Sequence, residues 1–343
     1  MSGQIHPVVQ ALRERAFAQE VAVVLSDGED PRAQAAASQL VSRGQIVPVL
    51  VGDEQRIREG LAAQAVEPAR RGRIEVYDPK RDPRQAALLA VATSCERLCQ
   101  AAEAQGMSLP EVAENPVVCA ALMVRAGWVA GMVGGSAVPT AEVIRAGIRV
   151  VGLHPERPLV TGTFAMLLRQ PLAAGQTVLM FADAAVIPHP TPEQLGLIAL
   201  NAAAIGRKVV GLEPKVALLS FSTKGSAQDP AVERVQAAVS WLKSHAPSLA
   251  VDGELQADAA LVPEVGRLKA PGSSVAGWAN VLVFPNLESA NIAYKLVERL
   301  AGATALGVIL SGFAKPVHDL SRGCSADDIV NMAAVTALQA TEG

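Results

Sequence analysis

Short runs of Val, Ile and Leu alternate with longer amphipathic stretches along the whole chain, and this alternation constrains the fold more than any other feature. The strand-like runs are Val21–Ser26, Ile46–Val51, Ile74–Tyr77, Val129–Val133, Val178–Phe181, Lys208–Val210, Val216–Phe221, Val281–Phe284 and Ala305–Leu310. Several are apolar throughout, as expected of parallel strands covered on both faces. Between them, stretches such as Pro230–His245 and Ile292–Leu300 have the length and period of crossover helices. The pattern predicts an α/β architecture with mainly parallel sheets. A length of 343 residues suits two such domains. One boundary is expected near residue 155, where GLHPERP interrupts the pattern and no strand-like run follows for over twenty residues.

Composition excludes several classes of function. Half of the residues are hydrophobic and only 3% are aromatic, so the core is aliphatic and the chain is not disordered. A net charge of -3 lacks the basic excess of a nucleic-acid partner. No uncharged apolar run reaches the roughly 18 residues that span a bilayer, and the charged N-terminal stretch has no secretory h-region. A cytoplasmic chain with no membrane partner is expected. Cys95, Cys99, Cys119 and Cys324 form no CxxC pair; Cys95 and Cys99, four apart, read as one buried helix face. The histidines His6, His154, His189, His245 and His318 have no metal-ligand spacing, so no metal is expected. GxxxxGK[ST], GxGxxG and GxSxG are all absent.

In open α/β sheets, ligands bind beyond the carboxyl ends of the strands, and three loops there carry chemistry. Ser222-Thr223-Lys224-Gly225-Ser226 follows an apolar run and leads to Asp229, an N-cap, and Pro230 at the first helical position. Free backbone N–H groups and the Lys224 ammonium could hold a phosphate there; an ordinary polar turn is the alternative. The second loop, Gly134–Glu142, brings Ser136 and Thr140 before Arg145, and all three are candidate substrate-binding residues. Thr140 reads as a helix cap, and Arg145 as either a phosphate-binding fork or a solvated arginine. The third, Asp319–Asp328, is the densest in polar groups. Ser325-x-x-Asp328 reads as a capping box, with the acidic residue favoured by the helix dipole. Ser321 and Arg322 are not needed for capping, and a serine, a guanidinium and a carboxylate on one loop suit acyl or phosphoryl transfer.

At these loops the chain resembles the phosphate acetyltransferase (phosphotransacetylase) family, within the phosphate acetyl/butyryltransferase superfamily. The matching segments are SDGEDPR, MVGGSAVPTAEVIRAG, FADAAVIPHPTPEQL, KVALLSFSTKGSA, DGELQADAALVPEVGRLKAP, VAGWANVLVFPNLESANIAYKLVERLAG and GFAKPVHDLSRGCSADDIV, in family order and spacing. PTAEVIRAG is similar to the ethanolamine-utilisation subtype. The resemblance implies two α/β domains, 1–155 with 309–343 and 156–308, with the active site in the cleft between them, in a homodimer. It implies the reaction acetyl-CoA + phosphate ⇌ acetyl phosphate + CoA, by direct thiolate attack in a ternary complex. CoA and acetyl-CoA are then substrates, and no cofactor is permanently bound. Asp328 matches the family's proposed base. Ser321 and Arg322 match residues that orient acetyl phosphate and offset developing charge. Arg145 matches a substrate-binding arginine, and Ser222–Ser226, Asn291, Tyr294 and Lys295 match pocket-lining positions.

Four departures stand out. Ala101–Met107 replaces an LRKxKGM-like stretch, with Ala102 at the position of an arginine linked to CoA binding. Gly127–Val133 replaces a GDADGMV-like run and lacks its acidic residues. Ala146 replaces a proline, and Ala290 replaces a glycine, which predicts strain if that backbone has positive φ. The alternatives are a phosphate butyryltransferase or other short-chain acyltransferase, and a non-catalytic acetyl-CoA-sensing domain.

Overall fold

The computed structural model describes residues 5–64 and 67–341; the outermost residues of the first expected domain, 1–4 and 342–343, lie outside them. The strands are β1 Ala22–Leu25, β2 Val47–Val51, β3 Glu75–Tyr77, β4 Gly131–Gly134, β5 Thr161–Leu167 and β6 Val178–Ala182. They continue with β7 Lys215–Leu219, β8 Ala250–Leu255, β9 Val281–Val283, β10 Thr304–Ser311 and β11 Val317–Asp319. The chain divides into two compact units, Met1–Pro155 with Phe313–Gly343, and Glu156–Gly312. The strand β10 pairs with β5 as far as Ser311, so a division at 308 would cut through it.

The first unit holds a fully parallel sheet in the order β11-β4-β1-β2-β3. The chain winds from β1 to β3 in one direction and then returns to place β4 on the other side of β1. That reversal puts the loops after β1 and β4 side by side at the switch point, where such sheets bind ligands. The helix Ala326–Thr341 packs an almost wholly buried face of small and aliphatic residues on this sheet.

The second unit holds a six-stranded sheet in the order β10-β5-β6-β9-β7-β8. Here β5 runs antiparallel to both neighbours, and the remaining pairs are parallel. Its apolar strands β6, β7 and β9 are buried as the sequence pattern required. Asp183, at the end of β6, is buried and accepts hydrogen bonds from the amides of Gly162, Ala185, Val186 and Ile187 at 2.7–3.2 Å. It organises the turn that follows. Among the described residues no helix is long and apolar enough to cross a membrane.

Several expectations need correction. Lys208–Val210 is not a strand but part of a π-helical turn, Gly206–Val210, that continues the helix Pro192–Ile205 and stops at left-handed Gly211. A short β-branched run carries no period long enough to separate the two outcomes. The run at Val216–Phe221 ends as a strand at Leu219, leaving Phe221 59% exposed. A strand lies soon after residue 155, because β5 (TGTFAML) mixes Thr and Gly into its apolar run. The strands β8 and β11 were hidden by charge: AVDGEL and VHD carry acidic and histidine side chains that are buried here. Cys95 is the N-cap of the helix Glu96–Ala104 rather than a member of its face. Ala290 lies inside the helix Leu287–Leu300, and Lys224 is the sole non-glycine residue with positive φ among the described residues. The expected strain at Ala290 is therefore absent.

Asp183→Ala would leave four backbone N–H groups without their acceptor. It is expected to lower the unfolding free energy by at least about 3 kcal/mol, measured by urea denaturation.

Candidate active site

Three loops meet at the carboxyl ends of β1, β4 and β11, and one arginine joins them. Asp30 caps the helix Pro31–Arg43, accepting from the Arg32 amide at 2.8 Å, and Pro31 takes the first helical position. This cap places the Arg32 side chain back over the loop. Its guanidinium grips both Asp30 oxygens, Nε to Oδ1 at 3.0 Å and Nη2 to Oδ2 at 2.6 Å. It also donates to the carbonyls of Ser136 at 2.8 Å, Arg322 at 2.7 Å and Cys324 at 2.9 Å. Burial opposes the Asp30 charge, but the bonds from Arg32 outweigh it and hold the Asp30 carboxyl below the usual range.

Carboxylates complete the frame. Asp27 Oδ2 accepts from the Ser136 amide at 2.9 Å and its hydroxyl at 3.0 Å. Asp319, at the end of β11, is buried and accepts from the Thr140 hydroxyl at 2.6 Å. Thr140 is thus the first helical residue, after Pro139, and its hydroxyl ties β11 to the β4 loop instead of capping. The other oxygen of Asp319 has no hydrogen-bond partner among the described residues and faces Gly135. A Cβ on Gly135 would stand 2.1 Å from it, and its φ of +91° excludes most side chains as well. Burial pushes the Asp319 carboxyl up to about 6, with the Thr140 bond acting against it and Asp27 adding repulsion.

On this frame Ser321 and Arg322 form an exposed turn. Ser321 accepts from the Gly323 and Cys324 amides, through Oγ at 3.2 Å and its carbonyl at 2.9 Å. The Arg322 carbonyl is held by Arg32, while its guanidinium makes no ion pair or hydrogen bond among the described residues. The capping box is present: Asp328 Oδ2 accepts from the Ser325 amide and hydroxyl at 2.8 Å each, and Ser325 Oγ accepts from the Asp328 amide at 3.2 Å. Asp328 Oδ1 makes no hydrogen bond among the described residues. One carboxylate can therefore cap the helix through one oxygen and leave the other for chemistry.

Arg145 is placed elsewhere in the same unit. It lines a pocket of about 530 Å³ with Ala102 and Arg149, which Ser321, Arg322 and Asp328 do not line. A neighbouring pocket of about 570 Å³ is bounded by Asp27, Asp30, Arg32 and Ala137, and it shares Asn115 and Val117 with the first.

In the second unit, Asp229 caps the helix Pro230–His245 with Pro230 at its first position. The anion-binding groups of the preceding loop already face an internal carboxylate. Glu254 Oε1 accepts from the Ser222 hydroxyl at 2.9 Å and the Gly225 amide at 2.7 Å. Lys224 pairs with Asp252. Ser226 Oγ takes the Thr223 amide at 3.1 Å, and Thr223 Oγ1 takes the Gln256 amide at 2.9 Å. Asn291, Tyr294 and Lys295 lie on the helix Leu287–Leu300. Tyr294 stacks on Phe164 with ring centroids 4.4 Å apart, and the Lys295 ammonium stands 5.0 Å from the Tyr294 ring centre.

Reading the loops alone missed Asp27, Asp30, Arg32, Asp319, Asp252 and Glu254. A signal for two of them was available. Asp30-Pro31 after β1 repeats the Asp229-Pro230 cap signature, and Arg32 follows it directly.

Two outcomes test this frame. Lysine has three donors and no planar fork, so Arg32→Lys cannot hold Asp30 and three carbonyls together. It is expected to lower the unfolding free energy by about 2–3 kcal/mol in urea titrations. Asp319 titrates near 3.8 when unfolded and near 6 when folded. Between about pH 4 and 6 the folded state binds more protons, so this site lowers stability by about 3 kcal/mol as the pH rises through that interval. Asp319→Asn stays neutral and is expected to flatten the interval; a slope equal to that of the parent would exclude the effect.

Comparison with known proteins agrees over nearly the whole chain. The phosphate acetyl/butaryl transferase family model matches residues 7–337. The phosphate acetyltransferase of Clostridium acetobutylicum is 40% identical over 339 residues, covering 98% of this chain and 99% of that protein. A phosphotransacetylase structure from Streptococcus pyogenes superposes with a TM-score of 0.87 at 34% identity, covering 99% of this chain and 100% of the other. The EutD phosphotransacetylase structure from Staphylococcus aureus gives 0.85 at 35% identity, covering 97% and 98%. With this fold, these loops and these likenesses, the chain belongs to the phosphate acetyl/butaryl transferase family.

Proposed function

We propose that the chain is a phosphate acetyltransferase, moving an acetyl group reversibly between the CoA thiol and inorganic phosphate. The observation that carries this reading is the exposed Ser321-Arg322 turn, its backbone clamped by Arg32 and its guanidinium without an ion pair among the described residues, in a chain 40% identical to a phosphate acetyltransferase. The substrates are small molecules, CoA and acetyl phosphate or phosphate, and the enzyme needs no resident cofactor.

In the direction of acetyl-CoA formation, the CoA sulfur attacks the carbonyl carbon of acetyl phosphate. The C–S bond forms, the C–O bond to phosphate breaks, and phosphate leaves with the electron pair. A free thiol with pKa of about 8.5 is mostly protonated at neutral pH, so the attack needs a base. Asp328 is assigned that proton, through the oxygen the capping box leaves free. Ser321 and Arg322 are assigned the acyl phosphate, their hydroxyl and guanidinium offsetting charge that builds on its oxygens. Ser136 and Thr140 shape the β4 loop beside them. Ser222, Thr223, Lys224, Gly225, Ser226, Asn291, Tyr294 and Lys295 enter as pocket-lining positions through the family match alone. A homodimer is part of the reading, and Ile292, Leu296 and Leu300, 51–82% exposed along one helix, offer it an apolar stripe.

The purified protein with acetyl phosphate and CoA is expected to form thioester, followed by ultraviolet absorbance, and to prefer acetyl over butyryl phosphate in kcat/KM. No thioester from folded protein would overturn the reading. Arg322→Ala is expected to lower kcat by about 10²–10³. Asp328→Asn should abolish turnover while costing at most about 1 kcal/mol of stability. Near-parent turnover in a destabilised Asp328→Asn protein would reduce this residue to a cap.

A further inference from the structure

The helix that carries Asp328 rests on a buried cation. Asp328 lies in the first turn of the helix Ala326–Thr341, and that helix packs against the helix Pro7–Phe17 near the start of the chain. From there Arg13, only 6% exposed, reaches the first turn. Its Nε donates to Asn331 Oδ1 at 2.7 Å, and its Nη2 donates to the Asp327 carbonyl at 3.4 Å. That carbonyl belongs to the peptide unit whose N–H is that of Asp328, and this N–H donates to Ser325 Oγ at 3.2 Å. One planar unit is thus held at its oxygen by Arg13 and at its nitrogen by Ser325. The Asp328 side chain leaves the backbone at the next atom, so the set of this plane directs its carboxylate. Stability gives little reason for a guanidinium here. The N-terminal end of a helix disfavours a cation. The ion pair with Asp327 is long at 3.6 Å, and its carboxylate is 59% exposed, so it contributes weakly. Burial pulls the Arg13 guanidinium below its ordinary value, with Asp327 acting against this and Arg43 adding to it. Its Nη1 is buried without a hydrogen-bond partner among the described residues.

We propose that Arg13 is a positioning residue for Asp328. It fixes the Asp327–Asp328 peptide, so that Oδ2 stays in the capping box and Oδ1 keeps one direction. The chemical part given to Oδ1 rests on the acyltransferase reading above; the hold on the peptide does not. Arg32 acts in the same way on the neighbouring turn, through the Arg322 carbonyl. Each end of the Ser321–Asp328 loop is therefore set by an arginine that grips a backbone oxygen. Only a planar fork reaches both the Asp327 carbonyl and the Asn331 side chain, one helical turn apart.

The test compares the full-length parent with Arg13→Met, Arg13→Lys and Asn331→Ala, with rates taken per folded protein from each unfolding transition. Arg13→Met is expected to lower kcat roughly tenfold, with KM for CoA and for acetyl phosphate nearly unchanged. Arg13→Lys should recover part of kcat, because an ammonium still donates to one acceptor. Asn331→Ala removes the 2.7 Å bond and keeps the guanidinium. It should lower kcat by a smaller factor, which decides the matter if Arg13→Met does not fold. Amide hydrogen exchange read by NMR localises the effect. The Ser325 N–H is held by Asp328 Oδ2 and should exchange faster in Arg13→Met, while the Cys324 N–H, held by the Ser321 carbonyl, should not change. Near-parent kcat in the folded variants, a rise in KM as large as the fall in kcat, or equal quickening at Cys324 and Ser325 overturns the proposal and leaves the acyltransferase reading standing. If the parent forms no thioester, that reading fails and exchange decides alone. Quickening confined to Ser325 then supports the hold on the peptide, and unchanged exchange overturns it.

Discussion

One guanidinium holds the candidate active site together. Parallel strands leave their carboxyl-end loops without ladder hydrogen bonds, because the ladder stops where the loops begin, and side chains must join them. Asp27 and Asp319 each join two of the loops, and Arg32 joins all three, gripping Asp30 beside it and reaching carbonyls on the β4 and β11 loops. A planar fork with five donors is the side chain that can satisfy several carbonyls and a carboxylate at once. The position of the Ser321-Arg322 turn follows from this clamp, since the Arg322 carbonyl is one of its acceptors. Arg32 acts on the site through the backbone, and the Arg322 guanidinium makes no ion pair among the described residues.

The second unit solves a similar problem with the opposite charge. Glu254 collects the Ser222 hydroxyl and the Gly225 amide and also receives a bond from Gln236. Burial works against its charge, yet these donors hold its carboxyl below the ordinary glutamate range. A loop that reads from sequence as an anion cradle is thus closed around an anion of its own. The negative group that the loop binds is Glu254, a side chain two strand positions beyond Asp252.

Legibility in the sequence tracked how much each element depended on its neighbours. Strands buried by apolar side chains, such as β1, β2, β6 and β9, could be read directly, because both of their faces need only hydrocarbon contact. The strands β8 and β11 could not, since Asp252, Glu254, His318 and Asp319 look like surface residues until their partners are known. Those partners, Lys224, Ser222, Gln339 and Thr140, lie 21–179 residues away in the chain. The local caps at Asp229 and Ser325 were legible for the converse reason: donor and acceptor lie within a few residues.

By itself the sequence determined the α/β class, the apolar strands and their caps, and the loops that carry Ser321, Arg322 and Asp328, because each depends on hydrophobic period or on contacts within one turn. Tertiary structure alone decided that Arg32 clamps three loops, that Thr140 bonds to Asp319 instead of capping, and that Arg145 shares a pocket with Ala102 and Arg149. Those outcomes depend on which strand lies beside which. The reversal that sets β4 against β1 is a property of the whole sheet, and no local stretch of residues encodes it.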